Sequence, residues 1–133
     1  MTDTANRDMT EEQAFEDVIE RLEAQRSLLS KMLDRAGFEK ARAGTPLDRI
    51  KYELLQSDIT AELARVRSNI LVLNLNKPSM VAAYENLVAM SDAAKAEAGK
   101  IDIATAKAKQ LSELLKASTK FVEGVGKLVG VFS

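Results

Sequence analysis

The sequence predicts an all-α fold, an antiparallel bundle of three to four long helices with coiled-coil-like heptad stripes. Three observations lead to this fold class. Apolar residues recur at alternating steps of three and four through most of the chain, which places them on one face of a helix. Glycine and proline number only six and two among 133 residues, too few for a sheet-rich fold with many turns. The chain is 46% hydrophobic and 29% charged, as expected for one globular domain.

The first helix is predicted over residues 10–36. Residues 1–9 are polar and lack periodicity, so we predict a disordered acidic tail there, followed by one bundle domain over 10–133. Thr10 and Gln13 have the spacing of a capping box, and Gly37 is a candidate C-cap. The apolar stripe between them consists of Phe15, Val18, Leu22, Gln25, Leu29, Met32 and Ala36, widened by Ile19 and Leu33.

The second helix is predicted over residues 46–75. The segment Phe38–Gly44 is mixed and charged, and we place the turn in it. Thr45 is a suitable N-cap and Pro46 suits the first helical position. Pro78 ends the pattern or starts a new one. The apolar positions are Leu47, Ile50, Leu54 and Leu55, then Ile59, Leu63, Val66, Ile70 and Leu73.

The last third of the chain carries the longest stripe, and the sequence leaves its helix count open. The stripe runs from Ile101 to Phe132, with Leu114, Phe121 and Leu128 repeating beside it every seven residues. A break near Gly99 with Asp102 as a cap gives helices over about 79–98 and 102–132. One kinked helix over 79–132 is the alternative. The stripe shifts by one residue near Ile101, which favours the break. The stripe members are Ile101, Ala104, Ala108, Leu111, Leu115, Ser118, Val122, Val125, Val129 and Phe132.

Charge is distributed unevenly between the two ends of the chain, although the net charge is only −1. Residues 1–20 contain seven acidic side chains against Arg7 alone, whereas residues 103–133 contain five lysines against two glutamates. An up-down-up-down arrangement of four helices brings the basic end beside the acidic start. This favours four helices, but only slightly, because exposed ion pairs contribute about 0–1 kcal/mol each.

The residue inventory argues against catalysis. The chain has no cysteine and no histidine, which excludes disulfides, Cys/His zinc sites, thiol nucleophiles and histidine acid–base chemistry. The carboxylates Glu12, Glu16, Glu20 and Glu23 have helical spacing but lie off the apolar stripe, so we interpret them as a solvated face rather than a di-metal site. No phosphate-binding loop motif occurs. We predict no enzyme activity, no catalytic residue, no metal and no cofactor.

The function predicted from the sequence is that of a helical interaction or assembly protein, self-associating or binding a helical partner through its C-terminal stretch. Gly126 and Gly130 have the small-xxx-small spacing of close helix contacts. The polar stripe residues Gln25 and Ser118 are interpreted as fixing register, with a ligand pocket as the alternative. The predicted contact residues are Leu111, Leu114, Leu115, Phe121, Val122, Val125, Gly126, Leu128, Val129, Gly130 and Phe132.

A membrane surface is the alternative partner, bound by the same basic, glycine-containing helix inserted as an amphipathic segment. The lysines that would contact anionic headgroups are Lys107, Lys109, Lys116, Lys120 and Lys127. Nucleic-acid binding is less well supported, because this stretch has no arginine and few aromatic side chains. The longest uncharged run, residues 68–76, is too short to span a bilayer. A cytoplasmic location is the default expectation, and export without a cleaved signal peptide stays open.

Overall fold

Four α-helices make up most of the chain. The computed structural model describes residues 10–132, with side chains through Gly130, so the predicted tail over 1–9 and the side chain of Phe132 lie outside the described part. The helices are α1 (Glu11–Ala41), α2 (Pro46–Asn76), α3 (Tyr84–Gly99) and α4 (Ala108–Phe132). Two short 3-10 turns, Val81–Ala83 and Ile103–Thr105, lie in the connections around α3. Residues 10–132 contain no strand, so the all-α prediction is confirmed.

Both predicted N-caps are present. The Thr10 side chain accepts a hydrogen bond from the Gln13 amide at 3.0 Å, and the Gln13 side chain accepts one from the Thr10 amide, which completes the capping box. The Thr45 hydroxyl accepts one from the Asp48 amide at 3.2 Å, with Pro46 in the first turn. These bonds satisfy amides that have no partner within the helix.

The predicted C-cap at Gly37 is wrong, because α1 continues through Gly37 to Ala41. A Cβ atom at this position would lie 3.1 Å from Nε2 of Gln56 on α2, so the glycine leaves room for the end of the Gln56 side chain between the two helices. The helix ends at Ala41 instead, and the amide of its C-cap residue Arg42 donates to the carbonyl of Glu39 at 3.2 Å. Sequence spacing alone could not distinguish a glycine that ends a helix from one that allows close packing.

The helix is interrupted between α3 and α4, so the last third of the chain forms two helices rather than one. The last helix begins later than predicted. Ile101 and Ala104, placed in the long stripe, precede α4, and Ala104 is exposed. Asp102 does act as a cap, but of the 3-10 turn, because its side chain accepts from the Ala104 amide at 3.1 Å. The helix restarts at Ala108, whose amide donates to the Tyr52 hydroxyl at 3.1 Å.

The four helices run up, down, up and down. Hydrogen bonds that join Asp17 to Tyr84 and Arg21 to Ser91 show that α3 is parallel to α1. The bond between Gln25 and Ser118, with an ion pair between Glu39 and Lys107, shows that α4 is antiparallel to α1. The basic C-terminal end of α4 therefore runs toward the acidic start of α1, as the charge distribution predicts.

The core lies along the shared axis of the four helices. Among the described residues, α1 contributes its predicted stripe almost unchanged, with Phe15 only half-buried. The largest fully buried side chains are Phe121, Leu22, Leu29, Met32, Ile59, Leu73, Met80, Leu87, Leu111, Leu114, Val18 and Val66. All four helices, together with Met80 before α3, therefore contribute to one hydrophobic core.

Candidate interaction surface

The predicted C-terminal contact residues lie mainly inside the bundle. The excess apolar face that motivated the prediction is covered by the chain's own helices, so α4 has no such excess among residues 108–130. Of the two glycines in the predicted set, Gly126 is half-buried and Gly130 is exposed. The buried members are Leu111, Leu114, Phe121, Val122, Val125 and Val129, and the half-buried ones are Leu115 and Leu128.

The close helix contact in α4 is made at a different glycine from the predicted pair. A Cβ atom on Gly124 would lie 2.8 Å from the Met90 sulfur and 3.3 Å from Leu87 Cδ2, both on α3. At Gly126 the nearest such atom is at 3.9 Å, and none lies within 4 Å of Gly130. Gly124 therefore lets α3 approach α4, and the spacing of Gly126 and Gly130 does not serve this packing.

The lysines predicted as anionic-surface contacts are exposed, and one of them is engaged within the bundle. Lys107 donates to the buried carboxylate of Glu39, which also accepts from Arg35 at 2.7 Å. The hydrogen bond from Lys107 and the charge of Arg35 hold the pKa of Glu39 below its ordinary value. The exposed members are Lys107, Lys109, Lys116, Lys120 and Lys127.

A second polar cluster joins α1 to α3. Asp17 accepts hydrogen bonds from Arg21 Nε at 2.8 Å and from the Tyr84 hydroxyl at 2.7 Å, and Arg21 also donates to Asp92 at 2.9 Å. Burial raises the pKa of Asp17, but the hydrogen bonds from Arg21 and Tyr84 outweigh it and leave that pKa lowered. Burial and the bond to Asp17 raise the pKa of Tyr84. Each group is engaged with another, so the cluster is suited to positioning α3 rather than to proton transfer.

Glu62 is the one described side chain with a buried polar atom that lacks a hydrogen-bond partner. It is 3% exposed and lies where α2 borders α4, and Arg65 donates to its Oε1 while Oε2 has no partner. The groove beside it is lined by both helices, including Leu115, Lys116 and Lys120. A single carboxylate oxygen without further ligands does not constitute a binding site.

The most distinctive surface is the side of α2 that points away from the bundle, which we call the outer face of α2. Its nine positions follow steps of three and four along the whole helix, every one is exposed, and none is charged. Five of the seven large hydrophobic side chains exposed in residues 10–130 lie on it, with Leu75 73% exposed and Leu47 64% exposed. The outer face consists of Leu47, Ile50, Leu54, Ser57, Ala61, Ala64, Ser68, Leu71 and Leu75.

Charged side chains flank the outer face on both sides. One flank carries Lys51, Asp58 and Arg65, and the other carries Glu53 and Arg67. Buried positions such as Ile59 and Val66 occupy the opposite side of the helix. This is the layout of a coiled-coil seam, with uncharged a and d positions and charged e and g positions, on a helix whose other side is already buried.

Sequence reasoning missed this face because α2 has two apolar stripes. By sequence, Leu47, Ile50 and Leu54 appear at the start of the core stripe that continues through Ile59. In the structure Ile50 and Leu54 are 50% and 61% exposed, whereas Leu55 is buried as expected and Tyr52 is buried as well. The sequence does contain a pattern that indicates the second stripe, the seven-residue steps from Leu54 through Ala61 and Ser68 to Leu75. The pattern is inconspicuous because its central residues are small and not strongly apolar.

The sequence matches no protein-family model, and searches of curated proteins and of solved structures found no match. Within residues 10–132, no helix is long and apolar enough to cross a membrane. Over the same residues, no group of three acidic side chains is placed to hold a metal ion, and Glu12, Glu16, Glu20 and Glu23 are exposed as predicted. The surface of the bundle is therefore the feature that bears on function.

Proposed function

We propose that the protein is a non-enzymatic assembly module that self-associates through the outer face of α2. The observation that carries the proposal is the uncharged, exposed stripe along the full length of that helix. Single exposed leucines are ordinary on protein surfaces, but a continuous stripe of uncharged, mainly apolar side chains with charges along both sides is typical of an interaction site. This moves the contact surface from the predicted C-terminal stretch to α2 and keeps the predicted class of function.

The stripe supplies enough apolar surface for a reversible association. Burying an exposed leucine or isoleucine fully contributes about 1.5–3 kcal/mol, so a side chain that is half to three-quarters exposed contributes about 1 kcal/mol or more. A dimer would bury ten such side chains, five from each copy, and their burial would contribute about 10 kcal/mol before the cost of association. The five are Leu47, Ile50, Leu54, Leu71 and Leu75. Association costs at least about 4 kcal/mol, which leaves at most about 6 kcal/mol, so we expect a dissociation constant of tens of micromolar or weaker.

The alternative inferred from the sequence, insertion of α4 into a membrane surface, has less support. Phe121 and Val125 are fully buried, so α4 would have to leave the bundle to present them to lipid. That opening would expose the core faces of the other three helices. The outer face of α2 requires no such rearrangement.

Sedimentation equilibrium across a range from low to several hundred micromolar tests the proposal. We expect the average mass to rise from the 14.6 kDa monomer toward the dimer as the concentration increases. Leu54→Asp should weaken the association at least tenfold, since it places a charge in the seam. Because Leu54 is exposed, helicity and the unfolding midpoint should stay near those of the wild type.

Ser27→Asp is the matched control, because it adds the same charge at an exposed position of α1. We expect it to leave the association unchanged. A monomer at every concentration, or equal weakening by both variants, would contradict self-association through α2. Binding to anionic vesicles that is lost in Lys116→Glu and kept in Leu54→Asp would support the membrane alternative instead.

A further inference from the structure

From Ile50 to Leu75, the outer face of α2 has the same order of residue types in both chain directions. From its centre between Ala61 and Ala64, the residue types toward either end are alanine, serine, leucine and then a large aliphatic residue, Ile50 or Leu75. We propose that two copies pair α2 against α2 in antiparallel orientation, with the two-fold axis passing between Ala61 and Ala64. This inference rests on the proposed self-association and specifies its geometry.

In an antiparallel coiled coil, an a position of one helix faces a d position of the other. The spacing along the outer face assigns Leu47, Leu54, Ala61, Ser68 and Leu75 to a positions, and Ile50, Ser57, Ala64 and Leu71 to d positions. With the axis at this centre, each a residue from Leu54 to Leu75 meets a d residue of similar size, whereas Leu47 lies beyond the last layer. The resulting layers are Ile50 with Leu75 of the partner subunit, Leu54 with Leu71 of the partner subunit, Ser57 with Ser68 of the partner subunit, and Ala61 with Ala64 of the partner subunit.

The small central layers have a geometric consequence. Interaxial distances between packed helices range over about 8–10 Å according to the side chains at the contact, and alanine and serine favour the short end. The helices would therefore cross closely at Ala61 and Ala64 and separate toward the ends, where Leu54 and Leu71 fill the wider space. A two-fold contact is self-complementary by symmetry, so the pairing closes at a dimer.

Charge complementarity favours the antiparallel over the parallel arrangement. In the antiparallel pairing, e positions face e positions, which brings Asp58 opposite Arg65 of the partner subunit twice in each dimer. A parallel, in-register pairing sets g positions against the following e positions instead. That would place Glu53 opposite Asp58 of the partner subunit, a repulsion of like charges. All three side chains are exposed; within the chain, Arg65 also donates to Glu62, and Glu53 is paired with Lys40 at 3.5 Å.

Disulfide trapping tests the orientation directly, and the chain has no cysteine of its own. Affinity-tagged Ser57→Cys is mixed with untagged Ser68→Cys above the dissociation constant and oxidised slowly. We expect the tagged–untagged disulfide to form at least tenfold faster than the disulfide of Ser57→Cys with itself. In the proposed dimer the two copies of residue 57 are about 16 Å apart along the axis, whereas residues 57 and 68 of opposite copies meet.

Reversing a charge beside the outer face gives a second test, because the antiparallel and parallel pairings predict opposite effects on the affinity of the dimer. Asp58→Arg should weaken the dimer several-fold in the antiparallel pairing, since it places two arginines together, but should strengthen it in the parallel one. Asp34→Arg, the same change on exposed α1, is the control and should have no effect. Preferred self-crosslinking of Ser57→Cys in a protein that dimerises would overturn the antiparallel geometry and leave self-association intact. A monomer throughout would overturn both.

Discussion

The Ser118 hydroxyl donates a hydrogen bond to the Gln25 side chain in the middle of the core, although the two residues are 93 positions apart. Ser118 is fully buried and Gln25 is 4% exposed. This pair joins α1 to α4 at one defined height and agrees with the interpretation that polar stripe residues fix register. Sliding the helices past each other would leave both groups buried without partners, which is costly.

Removing one member of this pair should cost more than removing both. Ser118→Ala leaves the Gln25 oxygen without its donor, and we expect a loss of about 1–3 kcal/mol in the free energy of unfolding. Gln25→Leu combined with Ser118→Ala should recover part of that loss. Urea unfolding of the two single variants and the double variant measures the coupling, and a value below about 0.5 kcal/mol would contradict a specific interaction.

Stability should decrease in acid because of Asp17 and Glu39. Both have lowered pKa values in the folded state, so each stabilises the fold above its unfolded pKa and loses that contribution as the pH falls through the folded value. The ordinary values are 3.8 and 4.5, so we expect the free energy of unfolding to fall below about pH 5. Urea titrations at several pH values should show a shallower fall in Asp17→Asn, with the exposed Glu16→Gln as control. An equally steep fall in Asp17→Asn and in the control would contradict the role of Asp17.

Two glycines of α4 should respond oppositely to alanine. Gly126→Ala should stabilise the protein by about 0.5–1 kcal/mol, because its Cβ meets only ordinary contacts and alanine is the better helix former. Gly124→Ala should lose that gain or destabilise by about 1–2 kcal/mol, because Met90 and Leu87 would have to move. Thermal unfolding compares the two, and equal stabilisation would show that the contact with α3 adjusts freely.

The C-terminal helix should behave as core. Phe121→Ala removes a fully buried aromatic side chain, and we expect a loss of about 3–5 kcal/mol in the free energy of unfolding. The matched variant Leu54→Ala, at an exposed leucine of α2, should lose less than about 0.5 kcal/mol. If Phe121→Ala kept full stability while abolishing association, the contact surface inferred from the sequence would be restored.

The sequence by itself determined that the chain forms long helices and where several of their ends lie, because the signals for those ends are local. The capping box at Thr10, the cap at Thr45 before Pro46, and the end of α2 near Pro78 all appear within two residues of their predicted places. The heptad spacing of α1 predicted its buried face for the same reason. Neighbouring residues in the chain are enough to decide whether a turn of helix forms.

Only the tertiary structure decided which apolar faces remain exposed. α2 has two stripes on opposite sides. The spacing of apolar residues shows that both stripes exist, but it does not show which of them a neighbouring helix covers. The break before α4 likewise depends on distant groups, because Arg35 and Tyr52 bind the backbone of residues 106 and 108. Burial is a property of pairs of helices, so the surface left for a partner emerged only when all four were packed together.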